Sequence, residues 1–143
     1  MKVKISGEYK TRFDQSGLML RISHENYIKT GIEFVDGKYN LSTEVTHHTS
    51  DWSIILLEEP VSFLWIKAVR RLDAVEIFCS FDDKEYAMMR NAWLQDNHHV
   101  MVGVMGACPD GTGFKAKFEN FFIKHLPDLS RVQWLEKNKS EYN

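Results

Sequence analysis

The chain is poor in cysteine and has no long apolar run and no block of one charge, and each absence removes a class of function. Only two cysteines occur, Cys79 and Cys108, where a disulfide-stapled secreted domain usually carries more. Cys79 falls in the apolar run Val75-Glu76-Ile77-Phe78-Cys79 and is expected as a buried free thiol; Cys108 precedes Pro109 near a turn. A reducing compartment, most simply the cytoplasm, is the expected location. No apolar run reaches the roughly 20 residues that span a bilayer, so no membrane partner is expected. The N-terminal ten residues alternate apolar and polar types and lack the apolar core of a signal peptide. The net charge is −2 with no cluster of Lys and Arg, so nothing marks a phosphate-binding surface, and nucleic acid is not an expected partner. Linkers, low-complexity tracts and internal repeats are absent as well.

What the chain does have is aromatic residues and a rhythm of short apolar runs. Its 143 residues are enough for one domain, and Trp and Phe in this number suit pleated sheets. Val3 and Ile5 alternate with lysines in a first strand ending at Gly7. Leu18, Leu20 and Ile22 alternate with Gly17, Met19 and Arg21. Ile28, Thr30, Ile32 and Phe34 share one face of the next strand, with Lys29, Gly31 and Glu33 on the other. Asp36-Gly37 marks a type I′ hairpin, whose two central residues both need positive φ. The return strand runs through Leu41, Thr43 and Val45, and a further one starts at Trp52. Phe63–Val69, Val75–Phe81, Val100–Met105 and Phe114–Ile123 follow, and in the last of these Phe114, Phe118 and Phe122 share a face by period two. Tyr86–Leu94 fits either strand or helix. Leu129, Val132 and Leu135, spaced by three after Pro127-Asp128, predict one short helix. The expectation is an all-β antiparallel sandwich over residues 1–124, with a tail over 125–143 that carries a short C-terminal helix.

Four segments in order carry a resemblance: Asp14-Gln15-Ser16-Gly17-Leu18-Met19, Tyr27-Ile28-Lys29-Thr30-Gly31-Ile32-Glu33, Ser50-Asp51-Trp52-Ser53, and Val102-Gly103. Together they resemble a widespread domain family of unknown function to which the fungal regulation-of-enolase protein belongs. The resemblance implies a concanavalin A-like lectin/glucanase jelly-roll sandwich from the first strand to about Ile123. It also implies further N-terminal strands ahead of the position where this chain starts. A strand missing from a sheet exposes an edge, and an exposed edge invites pairing, so a homodimer or a protein partner is expected there.

In a sandwich of this kind the outward face of the concave sheet is where ligand would sit. Alternation and the resemblance place Gln15, Gly17, Met19, Lys29, Gly31, Glu33, Trp52, Trp65 and Lys67 on it. In this reading Trp52 and Trp65 are stacking platforms for a carbohydrate or small metabolite, and Gln15, Lys29 and Glu33 supply polar contacts. Gly17 and Gly31 leave clearance over the sheet. The bland alternative is a solvated face with a Lys29–Glu33 ion pair. Glycoside hydrolysis would need two carboxyl groups across one bond. The Glu-x-Asp of many glucanases occurs nowhere, and Glu33 has no obvious partner, since Glu44, Glu76 and Glu119 read as surface. His47-His48 and His98-His99 read as surface loops, because neighbours on a strand point to opposite faces. No Gly-x-Ser-x-Gly or phosphate loop is present. The expected protein is therefore a non-catalytic binding sandwich without a cofactor. A regulatory module for a glycolytic enzyme and a hydrolase with an atypical carboxylate pair are the alternatives.

Overall fold

The computed structural model describes residues 1–95 and 99–126, together with Gln133 and Glu136. Ten strands form among them: β1 (Lys2–Gly7), β2 (Gln15–Ser23), β3 (Asn26–Val35), β4 (Lys38–His47), β5 (Thr49–Leu56), β6 (Leu64–Arg71), β7 (Ala74–Ser80), β8 (Ala87–Trp93), β9 (Met101–Ala107) and β10 (Ala116–Phe122). They build two five-stranded sheets, ordered β10-β1-β6-β7-β8 and β5-β4-β3-β2-β9, and the paired strands run antiparallel. The architecture is the all-β sandwich that alternation predicts.

The core lies between the sheets. Val3, Ile5, Leu64, Ile66, Val75 and Ile77 from the first sheet meet Leu18, Leu20, Ile28 and Ile32 from the second. Each of these side chains stabilises the fold by about 1.5–3 kcal/mol relative to exposure. Cys79 joins them as a buried free thiol. The alternate residues of the same strands point outward, which is why one face of each sheet reads polar.

One turn and two bulges explain where simple alternation succeeds and where it breaks. Asp36 and Gly37 have φ of 50° and 77°, the type I′ geometry expected for this pair. The turn pairs Val35 with Lys38 and sets every later pair of β3 with β4. Tyr86–Leu94 resolves as strand β8. Its period was unreadable because the register slips between Ile77 and Phe78, whose partners are Arg90 and Met88, leaving Met89 as an extra residue. A second bulge corrects the reading of the last strand. Lys4 pairs with Glu119 but Lys2 with Phe122, and Asn120 takes a φ of 53°. The extra residue turns Phe122 away from the face of Phe118: Phe118 packs on the core, and Phe122 is exposed.

The two long sides of the sandwich differ. Where β8 faces β5, Arg90 bridges the sheets, donating to Ser53 Oγ at 2.7 Å and to Asp51 Oδ2 at 2.5 Å. Where β9 faces β10, apolar side chains remain uncovered, among them Val102, Val104 and Phe121. Strand β1 is not an edge, since it lies between β10 and β6. In the tail, Gln133 and Glu136 are helical; Leu129, Val132 and Leu135, on which the predicted helix rests, lie outside the described residues. No described helix is long and apolar enough to cross a membrane.

Candidate binding face on strands β2 to β5

Directly paired residues share a face, so the registers of β2, β3, β4 and β5 spell out the outward surface in rows. Gln15, Glu33, Asn40 and Leu56 form the first row; Gly17, Gly31, Ser42 and Ile54 the second; Met19, Lys29, Glu44 and Trp52 the third. Phe13, Gln15, Lys29, Glu33, Glu44, Trp52 and Pro109 line an open hollow of about 350 Å³ over these rows.

Glu33 is the centre of the polar network. It is only 6% exposed. Its carboxylate accepts from Ser42 Oγ at 2.7 Å, Trp52 Nε1 at 2.8 Å and Gln15 Nε2 at 3.3 Å. All three donors are neutral. The Lys29–Glu33 pair of the alternative reading does not form; Lys29 Nζ instead sits 3.1 Å from Glu44. Residues four apart on one strand are about 13 Å apart, whereas a directly opposite residue is about 5 Å away, and Glu44 is the residue opposite Lys29. Burial pushes the Glu44 carboxyl up, but Lys29, Ser50 and Tyr27 outweigh it and hold the group below the usual glutamate range. The reading of Glu44 as plain surface is thus corrected: it stands on the same face as Glu33 and lines the same hollow.

Trp52 presents its ring to solvent, 45% exposed, while its indole N–H is tied to Glu33 and Phe13 packs against it edge-on at 6.3 Å between centroids. The ring is therefore held in place by contacts within the protein itself. Phe13 reaches the rim from a backbone in the left-handed region, φ 67°, a conformation that costs a non-glycine residue energy and that surrounding structure must enforce. Asp14 enforces it. Wholly buried, its Oδ2 accepts the amides of Lys10 and Thr11 at 2.8 and 2.9 Å, and the Cys108 thiol stands beside the carboxylate. Burial raises the Asp14 carboxyl, yet the thiol and the two amides hold it below its ordinary value. The Cys108 thiol is pushed up, first by the Asp14 carboxylate beside it. A methyl group on Gly111 would lie 2.7 Å from Cys108 Sγ and 2.8 Å from Thr11 Oγ1, so the turn carrying Pro109 is clamped onto the turn carrying Phe13.

Of the residues expected from sequence, the structure brings together Gln15, Gly17, Met19, Lys29, Gly31, Glu33 and Trp52 on one face. Trp65 and Lys67 are elsewhere: strand β6 belongs to the other sheet. Trp65 is 8% exposed with Lys2 Nζ 4.9 Å over its ring, and Lys67 lies over Tyr86 at 4.0 Å. Neither lines the hollow beside Glu33. The role of the glycines also changes. A Cβ on Gly17 would lie 1.8 Å from the Thr30 carbonyl oxygen, and one on Gly31 2.0 Å from that of Ser16; they make room for each other's strand rather than for a ligand. Phe13, Ser42, Glu44 and Pro109 were missed. His47 and His48 sit at the β4–β5 turn, His47 with its ring against Trp93. Among the described residues no three His, Cys, Asp or Glu side chains converge on a metal position.

Two antiparallel five-stranded sheets closed over one core, with a hollowed outer face, define the fold of the chain as an all-β jelly-roll sandwich. The crystal structure of a functionally unknown protein from Saccharomyces cerevisiae superimposes with a TM-score of 0.78 at 32% identity, over 82% of this chain and 63% of that one. A xylan beta-1,4-xylosidase from Bacillus halodurans matches in fold alone, with a TM-score of 0.70 at 16% identity over 82% of this chain and 26% of that enzyme. The chain belongs to the family described as protein of unknown function DUF1349, whose model matches residues 1–126. It is 31% identical over 134 residues to Regulation of enolase protein 1 of Saccharomyces cerevisiae, covering 90% of this chain and 68% of that protein. It is 27% identical over 131 residues to an uncharacterized protein, AN7484, of Emericella nidulans, spanning 60% of its length.

Proposed function

We propose that this sandwich is a binding module that holds a polyhydroxylated ligand, a carbohydrate or a related small metabolite, in the hollow over β2–β5. The observation that carries the reading is a buried carboxylate, Glu33, held by three neutral donors beneath an exposed and immobilised Trp52. A carboxylate offers about four acceptor positions, so hydroxyl groups can bond to Glu33 while a C–H face of the same ligand stacks on the indole. Lys29 and Gln15 add donors at the edge. Because these groups are already bonded to one another, little ordering is required on binding. Free Cys79 and Cys108 suit action in a reducing cytoplasm.

The test is a thermal-shift screen against mono- and oligosaccharides and glycolytic metabolites. A ligand at 100 times its Kd adds about 2.7 kcal/mol, which for a chain of this size raises the midpoint by roughly 10 °C. Trp52→Ala is expected to abolish the shift and Glu33→Gln to weaken it, with both variants folded. A shift that survives Trp52→Ala places the ligand elsewhere, and an unresponsive wild type over the whole library removes the proposal. A second reading, a regulatory module for a metabolic enzyme, is favoured by the likeness to Regulation of enolase protein 1. It requires that immobilised chain retain enolase from solution.

A further inference from the structure

Strand β9 is the edge of its sheet, pairing with β2 alone among the described strands. Natural edge strands are usually blunted by charge, proline or a bulge, because an unpaired row of N–H and C=O groups is a template for another strand. The other three edges follow this rule: β5 carries Asp51, β8 carries Arg90, and β10 carries Lys117, Glu119 and a bulge. Strand β9, Met101-Val102-Gly103-Val104-Met105-Gly106-Ala107, carries no charge, no proline and no register shift. Its side chains are also left uncovered, with Met101 60%, Val102 38% and Val104 41% exposed. Val102 and Val104 pair with the buried Leu20 and Leu18, so they face the inter-sheet core and still meet solvent.

The sequence of this edge says what would pair with it. Met101-Val102-Gly103-Val104-Met105 reads the same in both directions about Gly103. We infer that β9 pairs antiparallel with β9 of a second copy of this chain about a two-fold axis through Gly103, joining the two sheets into one of ten strands. In that register Val102 lies opposite Val104 of the other copy, on the core side of both. Met101 lies opposite Met105, on the outer side of both. Gly103 faces its own counterpart, where a Cβ would meet nothing within 4 Å. Every pair thus joins like with like on the correct face, which a one-residue slip would not preserve. An isologous contact of this kind closes on itself and gives a dimer rather than a fibre. The pairing sets the two hollows on one continuous outer face.

Light scattering on the eluting 143-residue chain should give twice the chain mass across a wide range of concentration. The double variant Met101→Lys with Met105→Lys sets like charges directly opposite each other in both outer rows and is expected to elute as a monomer. Met101→Lys with Met105→Glu sets opposite charges in the same rows and is expected to remain dimeric, which controls for folding. Gly103→Cys should cross-link to a dimer under mild oxidation where the wild type does not. The inference is overturned by a monomeric wild type, whether β9 amides then exchange freely or are protected by some other segment. It is equally overturned by a dimer that ignores the two charge patterns or by a Gly103→Cys variant that does not cross-link.

Discussion

Gly17→Ala and Gly31→Ala are each expected to lower the thermal midpoint by about 10 °C, the largest effect of any glycine-to-alanine change in this chain. Inserting atoms into a packed site costs about 1–3 kcal/mol when side chains can shift. Here the obstacle is a backbone carbonyl of the neighbouring strand, at 1.8 Å for Gly17 and 2.0 Å for Gly31. Relief requires β2 and β3 to separate, and both lie inside the sheet, with β9 and β4 on their outer flanks. The cost therefore falls at or above the upper end, about 3 kcal/mol, which at this chain length corresponds to roughly 10 °C. Gly17 and Gly31 are direct partners, so the double variant should lose less than the sum of the two singles, because strands already pushed apart accept the second methyl group. Thermal denaturation of the three variants measures this, and full additivity would show that the two sites do not share one gap. By contrast Gly103→Ala, at the edge with open space around it, should be close to neutral.

Asp14→Ala is expected to destabilise by about 2–3 kcal/mol, because it removes two part-buried backbone hydrogen bonds to a charged acceptor. The Lys10 and Thr11 amides lose their only side-chain acceptor, and Cys108 loses the group beside it. Asp14→Asn keeps one oxygen for the amides and should recover part of the loss. The carboxyl of Asp14 is held below its ordinary value, so its ionised form favours the folded state. Its stabilisation is complete above the unfolded pKa, about 3.9, and is lost as pH falls through the lower folded value. Glu44, Asp83 and Glu119 are shifted in the same direction, so the midpoint of the wild type should drop below about pH 4. Asp14→Asn should have a shallower acid limb than the wild type, read from denaturation curves across that range. In the proposed binding module Asp14→Ala should also weaken ligand binding without lining the hollow, through the freed turns that carry Phe13 and Pro109.

Most of the fold was legible because core-facing residues alternate cleanly along β1, β2, β3, β6 and β7, with Val3/Ile5, Leu18/Leu20, Ile28/Ile32, Leu64/Ile66 and Val75/Ile77 all buried. Alternation fails where one residue is added, and both failures were bulges: Met89 hid strand β8, and the left-handed Asn120 turned Phe122 outward. The site was half legible. Faces within one strand follow from period two, so Gln15, Lys29 and Glu33 were placed correctly. Membership of a sheet does not follow from period two, so Trp65 was assigned to the wrong one. Glu44 was within reach of the sequence, for the Asp36-Gly37 turn that was recognised already implies that Lys29 faces Glu44 and Gly31 faces Ser42. Phe13 was not, because its position depends on a left-handed backbone that only the buried Asp14 explains.

The two-residue turn at Asp36-Gly37 has a consequence for how this family can vary. Strand β4 carries its hollow-facing set, Asn40, Ser42 and Glu44, interleaved with a core-facing set, Leu41, Thr43 and Val45. A single residue inserted between Val35 and Lys38, if absorbed by sliding β4 along β3, would exchange the two sets, sending Glu44 inward and Val45 out. At the level of side chains it acts as a frameshift, one that spares the reading frame of the gene and scrambles the surface of the protein. Insertions of two residues restore the phase and only displace the row. Length changes in this loop should therefore survive in even steps, and the loop's length is as much a part of the hollow's chemistry as any residue that lines it.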